Sequence, residues 1–274
     1  MGEIKRISVY PVKGLDGLRL DAAEVLEGGT LEYDREFALF DADESDSSGH
    51  PTRSGDADGD VMNGKRTERV HDVDTTFDEE TGTLTVRTED GETGEFDLDA
   101  ESGRKRASEW FSEFFGEELT LKRDRSLGFV DRRGMGPSVI STATLREVAS
   151  WFDGTTVEGM RRRLRANVEV SGVPAFWEDR FVGPDAPSFV AGDVRFDGVT
   201  PCGRCVVPQR DPDTGDWTPE FRERFVERRR ETFPEWADEA AFDHFYTLMI
   251  LTDVPEDHRG ATVRVGDPVR LAEE

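Results

Sequence analysis

The chain has 274 residues, 35% of them hydrophobic and 35% charged, and a formal net charge of −25. That length supports one large or two small hydrophobic cores. A field so negative repels nucleic acid and anionic membrane surfaces, which argues against both as partners. Five lysines stand against thirty arginines in this acidic composition. The balance reads as a halophile-type adaptation to a salty cytosol, where screening is strong, and carries no catalytic content. No apolar run approaches the length of a membrane span. The N-terminus enters strand-like alternation at once, so no signal peptide is expected, and two cysteines fit a reducing cytoplasm.

In chain order, Ile4 to Val12 alternates apolar and polar residues and reads as a strand ending at Pro11–Gly14. A second strand is expected over Leu18–Leu26 and a third over Leu31–Phe40, with Asp34 and Arg35 inside it. Such an adjacent pair is most often an ion pair serving structure, though it can also present a guanidinium to an anion. Residues 41–64 are rich in Asp, Ser and Gly and read as a long, mobile loop. It ends at the Asn63–Gly64 turn before Lys65 and Arg66. Val70 to Phe96 reads as a meander of short strands. Ala107, Trp110, Phe111, Phe114 and Phe115 fall at helical spacing, and Gly116 stops the helix. Leu119–Lys122 is a strand, and the polar stretch Arg123–Gly136 marks a domain boundary, giving domains 1–124 and 125–274.

In the second half a strand ends at Val139–Thr142, and Thr144 with Glu147 can form a capping box on the next helix. The free N–H groups at such a helix start make a natural anion site. Arg161 to Val170 is arginine-rich and enters a strand. In so acidic a protein clustered arginines point to an anionic ligand, against the plainer reading of a solvated face. Trp177–Asp179 lies in a loop, and Phe189–Phe196 is a strand with a turn at Gly192–Asp193. Thr218–Pro219 caps a helix with Phe221 and Phe225 inward. A further helix is expected over Pro234–Phe245, a strand over Tyr246–Thr252, and a closing hairpin over Val263–Leu271. The sum is mainly β with peripheral helices (α+β), in a barrel or folded-sheet architecture. Neither a Gly-rich dinucleotide fingerprint nor a Walker motif is present, and four scattered histidines announce no hydrolase.

Both cysteines lie in one stretch, Val199–Gly215, as C-G-R-C followed by a D-P-D-T-G turn. Val206–Val207 reads as strand, which puts Cys205 at a strand mouth with Arg204 beside it. A neighbouring guanidinium favours the thiolate, the form that attacks and binds metals. Four readings stay open on these residues alone. They are a zinc half-site lacking two ligands, a thioredoxin-like redox pair without its helix, a structural pair, and a thiolate that ligates a soft metal carried by a cofactor.

Several motifs in sequence then carry a resemblance: Y-P-V-K-G (Tyr10–Gly14), D-R-E-F (Asp34–Phe37), N-G-K-R (Asn63–Arg66), I-S-T-A-T-L (Ile140–Leu145), R-A-N-V (Arg165–Val168), W-E-D (Trp177–Asp179), C-G-R-C with D-P-D-T-G, and V-G-D-P-V (Val265–Val269). In this order they resemble MOSC proteins with an N-terminal β-barrel domain, of the amidoxime-reducing-component and YcbX-like kind. The resemblance implies a MOSC β-barrel preceded by a β-barrel-like domain. It also implies a molybdenum cofactor (Mo-molybdopterin) whose metal is ligated by Cys205, since molybdenum is thiophilic. Carried over motif by motif, Lys13, Arg35, Arg66, Ser141, Thr142, Arg165, Asn167 and Arg204 are expected around the cofactor and its phosphate. Asp34 and Asp179 would orient groups or substrate, with Asp179 a catalytic candidate beside Cys205.

The implied activity is oxidoreduction of a small N-hydroxylated or N-oxide substrate. Electrons would come from a separate iron–sulfur or flavin reductase, because two cysteines are too few for a Cys₄ cluster. A persulfide carrier and a non-catalytic pterin-binding module are the alternatives. Pyridoxal phosphate, associated with the wider sulfurase family, would need a Schiff-base lysine in another domain, which is not found here. Gly14 stands where the family often has Ser, and Ala166 where Pro is common.

Overall fold

The barrel is closed by the first strand of the chain. In the computed structural model, which describes residues 2–42 and 61–272, β1 (Gly2–Val9) pairs antiparallel with β10 (Val168–Ser171) on one side and β15 (Pro268–Leu271) on the other. Between them run β9 (Ser138–Ser141), β13 (Thr247–Asp253), β12 (Val194–Gly203) and β11 (Phe189–Ala191). The circuit β10-β9-β13-β12-β11-β15-β1 returns to β10 as a closed seven-stranded barrel. Closure leaves none of these strands with two free edges. Only the β9–β10 pair is parallel, and helices α2 (Thr142–Ser150) and α3 (Val157–Leu164) make the crossover between them.

The β1 pattern explains a period that the sequence left irregular. Ile4, Ile7 and Val9 are all buried, yet Ile4 and Ile7 are three apart. A bulge between Ile4 and Arg6 opposite Val170–Glu169 absorbs the extra residue and returns Ile7 to the core face. The barrel interior is filled by these side chains together with Val139, Val168, Phe189 and Phe196.

The remaining N-terminal part packs a separate core. Strands β4 (Phe37–Asp41) and β8 (Leu119–Arg123) pair, and β5 (Val73–Asp78), β6 (Thr83–Thr88) and β7 (Thr93–Asp97) form the expected meander. Helix α1 (Glu101–Phe115) lays Ala107, Phe111 and Phe115 onto them, and Gly116 ends it with φ 76°. The family resemblance to a mainly β architecture with peripheral helices holds.

Several expected elements take a different form. Leu18–Leu26 splits into β2 (Leu18–Leu20), which extends β1, and β3 (Ala22–Glu24), which pairs with β14 (Thr262–Arg264). The closing hairpin is therefore no hairpin, since β14 and β15 join different sheets. Leu31–Glu36 is a turn with Tyr33 and Arg35 at positive φ, so Asp34 and Arg35 are not in a strand. Val207–Gln209 is a 3₁₀ turn around the buried Pro208, not strand. Helix α4 (Phe221–Glu231) forms with Phe221 and Phe225 inward as expected. Over 234–245 only Glu239–Ala241 is helical. Ser141, not Thr144, caps α2, its hydroxyl accepting from the Thr144 N–H at 2.9 Å. Most of the long acidic loop expected over 41–64 lies outside the described residues.

Closure by β1 makes its buried face critical. Ile7→Ala is expected to lower unfolding free energy by about 2–5 kcal/mol, and the exposed neighbour Lys5→Ala to change it by less than about 0.5 kcal/mol, in denaturant titrations. Equal effects of the two would contradict this role.

Candidate functional site

A cleft of about 490 Å³ opens where the barrel meets the N-terminal part. Its walls carry nine Lys and Arg residues against two Asp, in a chain of net charge −25. A concave wall of one sign focuses potential on an anion. The strongly cationic lining is therefore placed against the charge of the chain as a whole.

Lys13, Arg35, Arg165, Asn167, Arg204 and Cys205 all line this cleft. Arg165 follows α3 as its left-handed cap, with φ 57° and its N–H bonded to Arg161 O at 3.0 Å. Arg35 sits at φ 56°, its N–H held by Tyr10 O at 2.9 Å and its carbonyl accepting from Phe129 N–H at 2.7 Å. Left-handed backbone costs a non-glycine residue about 1–3 kcal/mol, and such strain concentrates at functional positions. Both guanidiniums lie over the Tyr10 ring, at 5.1 Å and 3.9 Å from its centroid. Each such contact contributes about 0.5–2 kcal/mol.

The cations differ in their acidic partners. Arg35 is ion-paired with Asp34. Lys13 and Lys65 meet Asp131 at 2.6 and 3.4 Å. Burial would raise the Asp131 carboxyl, but the two lysines hold it well below the usual range. Arg161 pairs with Glu169 and Glu158, Arg162 with Asp213, and Arg163 with Asp211. The arginine run read from sequence as an anion site is thus largely structural. Arg165 is different: its guanidinium makes no ion pair among the described residues, and burial depresses its pKa, opposed by Tyr10, Asp16 and Asp34 and reinforced by Arg35.

Cys205 lies on the loop after β12, a free thiol on the cleft wall. Arg204 turns away from it. Its Nη1 donates to Cys202 Sγ at 3.1 Å and its Nη2 to Leu164 O at 2.9 Å. The guanidinium expected beside Cys205 therefore touches the other cysteine. Asn167 is consumed by structure, accepting from Ser138 N–H and Oγ–H at 3.0 and 2.9 Å and donating to Ser8 O at 3.2 Å.

Four expected site residues are not brought to the cleft. Arg66 spans Asp41, at 2.7 Å, and Glu117 on the N-terminal surface. Its neighbour Lys65 takes the cleft position, because the Asn63 side chain accepts from the Lys65 N–H at 2.8 Å and sets the turn. Ser141 and Thr142 are buried at the start of α2. The Thr142 hydroxyl bonds Glu169 at 2.7 Å, and the Ser141 N–H is taken by the Glu178 carboxyl at 3.3 Å. The helix start expected to receive an anion is thus filled by the protein's own acid. Asp179 is 1% exposed and bonded to Arg229 at 2.5 Å, so it is part of the core and not a catalytic group in the cleft. Sequence reasoning missed Tyr10, Lys65 and Asp131. Tyr10 and Lys65 were inside quoted motifs, and only spatial assembly gives them roles. His71 also borders the cleft. Burial lowers its imidazole pKa, which keeps it neutral at pH 7.

The pattern described as the MOSC N-terminal beta barrel domain matches residues 1–118, and that of the MOSC domain matches residues 137–270. The chain belongs to the MOSC family. MOSC domains are associated with molybdenum-cofactor sulfurase-like and reductase-like proteins. No curated protein matches the chain. No helix among the described residues is long and apolar enough to cross a membrane.

The donor set of this MOSC cleft suits a metal carried on an anionic organic group. The free thiols of Cys202 and Cys205 share the wall with a guanidinium, that of Arg165, which makes no ion pair among the described residues. Among the described residues, no three His, Cys, Asp or Glu side chains converge to hold a metal by themselves. Gly14 fits its place for a backbone reason: its φ is 93°, and an added Cβ would fall 2.9 Å from Asn63 Cα.

The buried acids yield a measurable consequence. Burial, then the charge of Asp179, raises the Glu178 carboxyl to about 8. The folded protein therefore keeps a proton that the unfolded chain has lost above its ordinary value near 4.5. Stability contributed here is full below that value, falls as pH rises towards 8, and is flat beyond. Glu178→Gln is expected to remove this fall, so that unfolding free energies at pH 5 and pH 8.5, from denaturant titrations, converge relative to wild type by on the order of a few kcal/mol. An unchanged slope in the variant would show that Glu178 is ionised in the fold.

Proposed function

We propose that this protein is a molybdenum-cofactor-binding oxidoreductase that reduces small N-hydroxylated or N-oxide compounds. The observation that carries the reading is the sharing of one cationic cleft by the free thiol of Cys205 and the guanidinium of Arg165, which makes no ion pair among the described residues, in a chain of the MOSC family. Cys205 would hold the metal as its thiolate. Arg165, Arg35 and Lys13 would hold the phosphate of the pterin through charge-assisted hydrogen bonds. When bound, the molybdenum group supplies the two-electron removal of oxygen from an N–O bond.

The residues of the chain bind and orient. The positive wall concentrates the anionic cofactor. Asp131 holds Lys13 and Lys65 at the entrance, and a bound phosphate would compete with it for them. Arg204, tied to Cys202 and to Leu164 O, fixes the loop that carries Cys205. Electrons come from a separate iron–sulfur or flavin reductase, because two cysteines cannot ligate a Cys₄ cluster.

Metal analysis tests this directly, on protein purified from a host that makes molybdenum cofactor. Wild type is expected to carry near-stoichiometric molybdenum, and Cys205→Ala to lose at least about nine-tenths of it, together with any hydroxylamine or amidoxime reduction. Molybdenum that persists in Cys205→Ala would move the ligand elsewhere. Labile sulfur on the cysteine without molybdenum would replace the reading with a persulfide carrier.

A further inference from the structure

Tyr10 joins the two strained arginines of the cleft. Arg35 and Arg165 lie 130 positions apart in sequence, yet both guanidinium carbons lie over its ring, at 5.1 and 3.9 Å. Tyr10 is tied to each arginine's segment separately. Its carbonyl accepts from the Arg35 N–H at 2.9 Å, and its own N–H donates to Asp34 Oδ1 at 3.1 Å. Its hydroxyl donates to Ala166 O at 3.4 Å, the residue directly after Arg165. Tyr10 is 5% exposed, so it is packed behind the cleft and not free to swing.

Two guanidiniums gathered over one ring repel each other. The negative face of the ring offsets part of that repulsion, and Asp34 ion-pairs with Arg35 while acting on Arg165 only through space. Arg165 is left as a desolvated cation on the cleft with no ion pair among the described residues, Asp16 and Asp34 acting on it only through space. Such an arrangement costs free energy until an anion completes it.

We propose that Tyr10 is a positioning residue whose ring presents Arg35 and Arg165 as one paired-guanidinium receptor for a phosphate-type dianion. The inference deepens the cofactor reading above, with the phosphate of the cofactor as the intended occupant. Free inorganic phosphate carries the same chemistry and serves as the probe.

Calorimetric titration of cofactor-free protein with inorganic phosphate tests the receptor, with folding checked by circular dichroism. Tyr10→Phe keeps the ring and is expected to bind within about twofold of wild type, whereas Tyr10→Leu and Arg165→Ala each weaken binding by about tenfold or more. Both are expected to show a shallower dependence on salt. A purely structural Tyr10 would lower the melting temperature and leave phosphate affinity of the folded protein unchanged, and that result overturns the proposal. Absence of phosphate binding in wild type overturns it as well.

If Tyr10→Leu does not fold, wild type decides. The side-chain proton resonances of Arg165, displaced by the ring current of Tyr10, must move on phosphate addition, and static resonances reject the receptor. Protein isolated with molybdenum cofactor is expected to bind no added phosphate. Undiminished binding there would show the receptor to be separate from the cofactor and would overturn the assignment of its occupant. A chain that binds phosphate through Tyr10 but never acquires molybdenum would retain the receptor and sink only the cofactor reading.

Discussion

The closure of the barrel by β1 is the constraint on which the rest depends. Without this strand β10 and β15 would each present an open edge. The strand also delivers the site. Directly after Val9 comes Tyr10, and two residues past the Val12–Phe37 bridge comes Gly14, so the pairing that shuts the barrel also fixes one wall of the cleft. The family descriptions split the chain in sequence, but its strands do not split there. β1 belongs to the barrel built by residues beyond 137, and β3 pairs with β14 near the C-terminus.

Charge is sorted with equal care. In a chain of net charge −25, many arginines, including the run Arg161–Arg163, are matched to nearby carboxylates. Exposed pairs of this kind contribute little to stability, so their main effect is to hold segments in place. Arg163 pins the turn after Cys205 through Asp211 and the Pro208 carbonyl, at 3.0 Å each. What remains unmatched is informative. Arg165 lines the cleft without an ion pair among the described residues, unlike Arg161, Arg162 and Arg163 just before it.

A second buried network serves a different end. Glu178, Asp179 and Arg229 are almost fully enclosed, and Arg229 also lies over Phe176 at 4.5 Å and Phe233 at 5.2 Å. Removing one partner of a buried pair leaves an uncompensated charge, so this cluster rigidly joins α4 to the 3₁₀ turn Trp177–Phe181. The acids of the W-E-D motif therefore set stability and its pH dependence, while the chemistry of the cleft rests on other groups.

The sequence by itself determined the class of fold, because alternation, helical spacing and glycine stops are local signals. The meander of β5 to β7, helix α1 and the strand before Ser141 were legible for that reason. The family resemblance added Cys205 as the metal-ligating thiol and Lys13, Arg35 and Arg165 as cations expected around the cofactor, and all four line the one cleft. Only the tertiary structure decided which neighbours those residues have. Lys65 rather than Arg66 faces the cleft because one asparagine side chain sets the turn. Ser141 and Thr142 are excluded because Glu178, distant in sequence, already occupies their helix start. Arg161, Arg162 and Arg163 are taken up by carboxylates, whereas Arg165, one turn further on and left-handed, is not. Partnership of charges depends on through-space distance, and residue type and spacing along the chain do not carry that information.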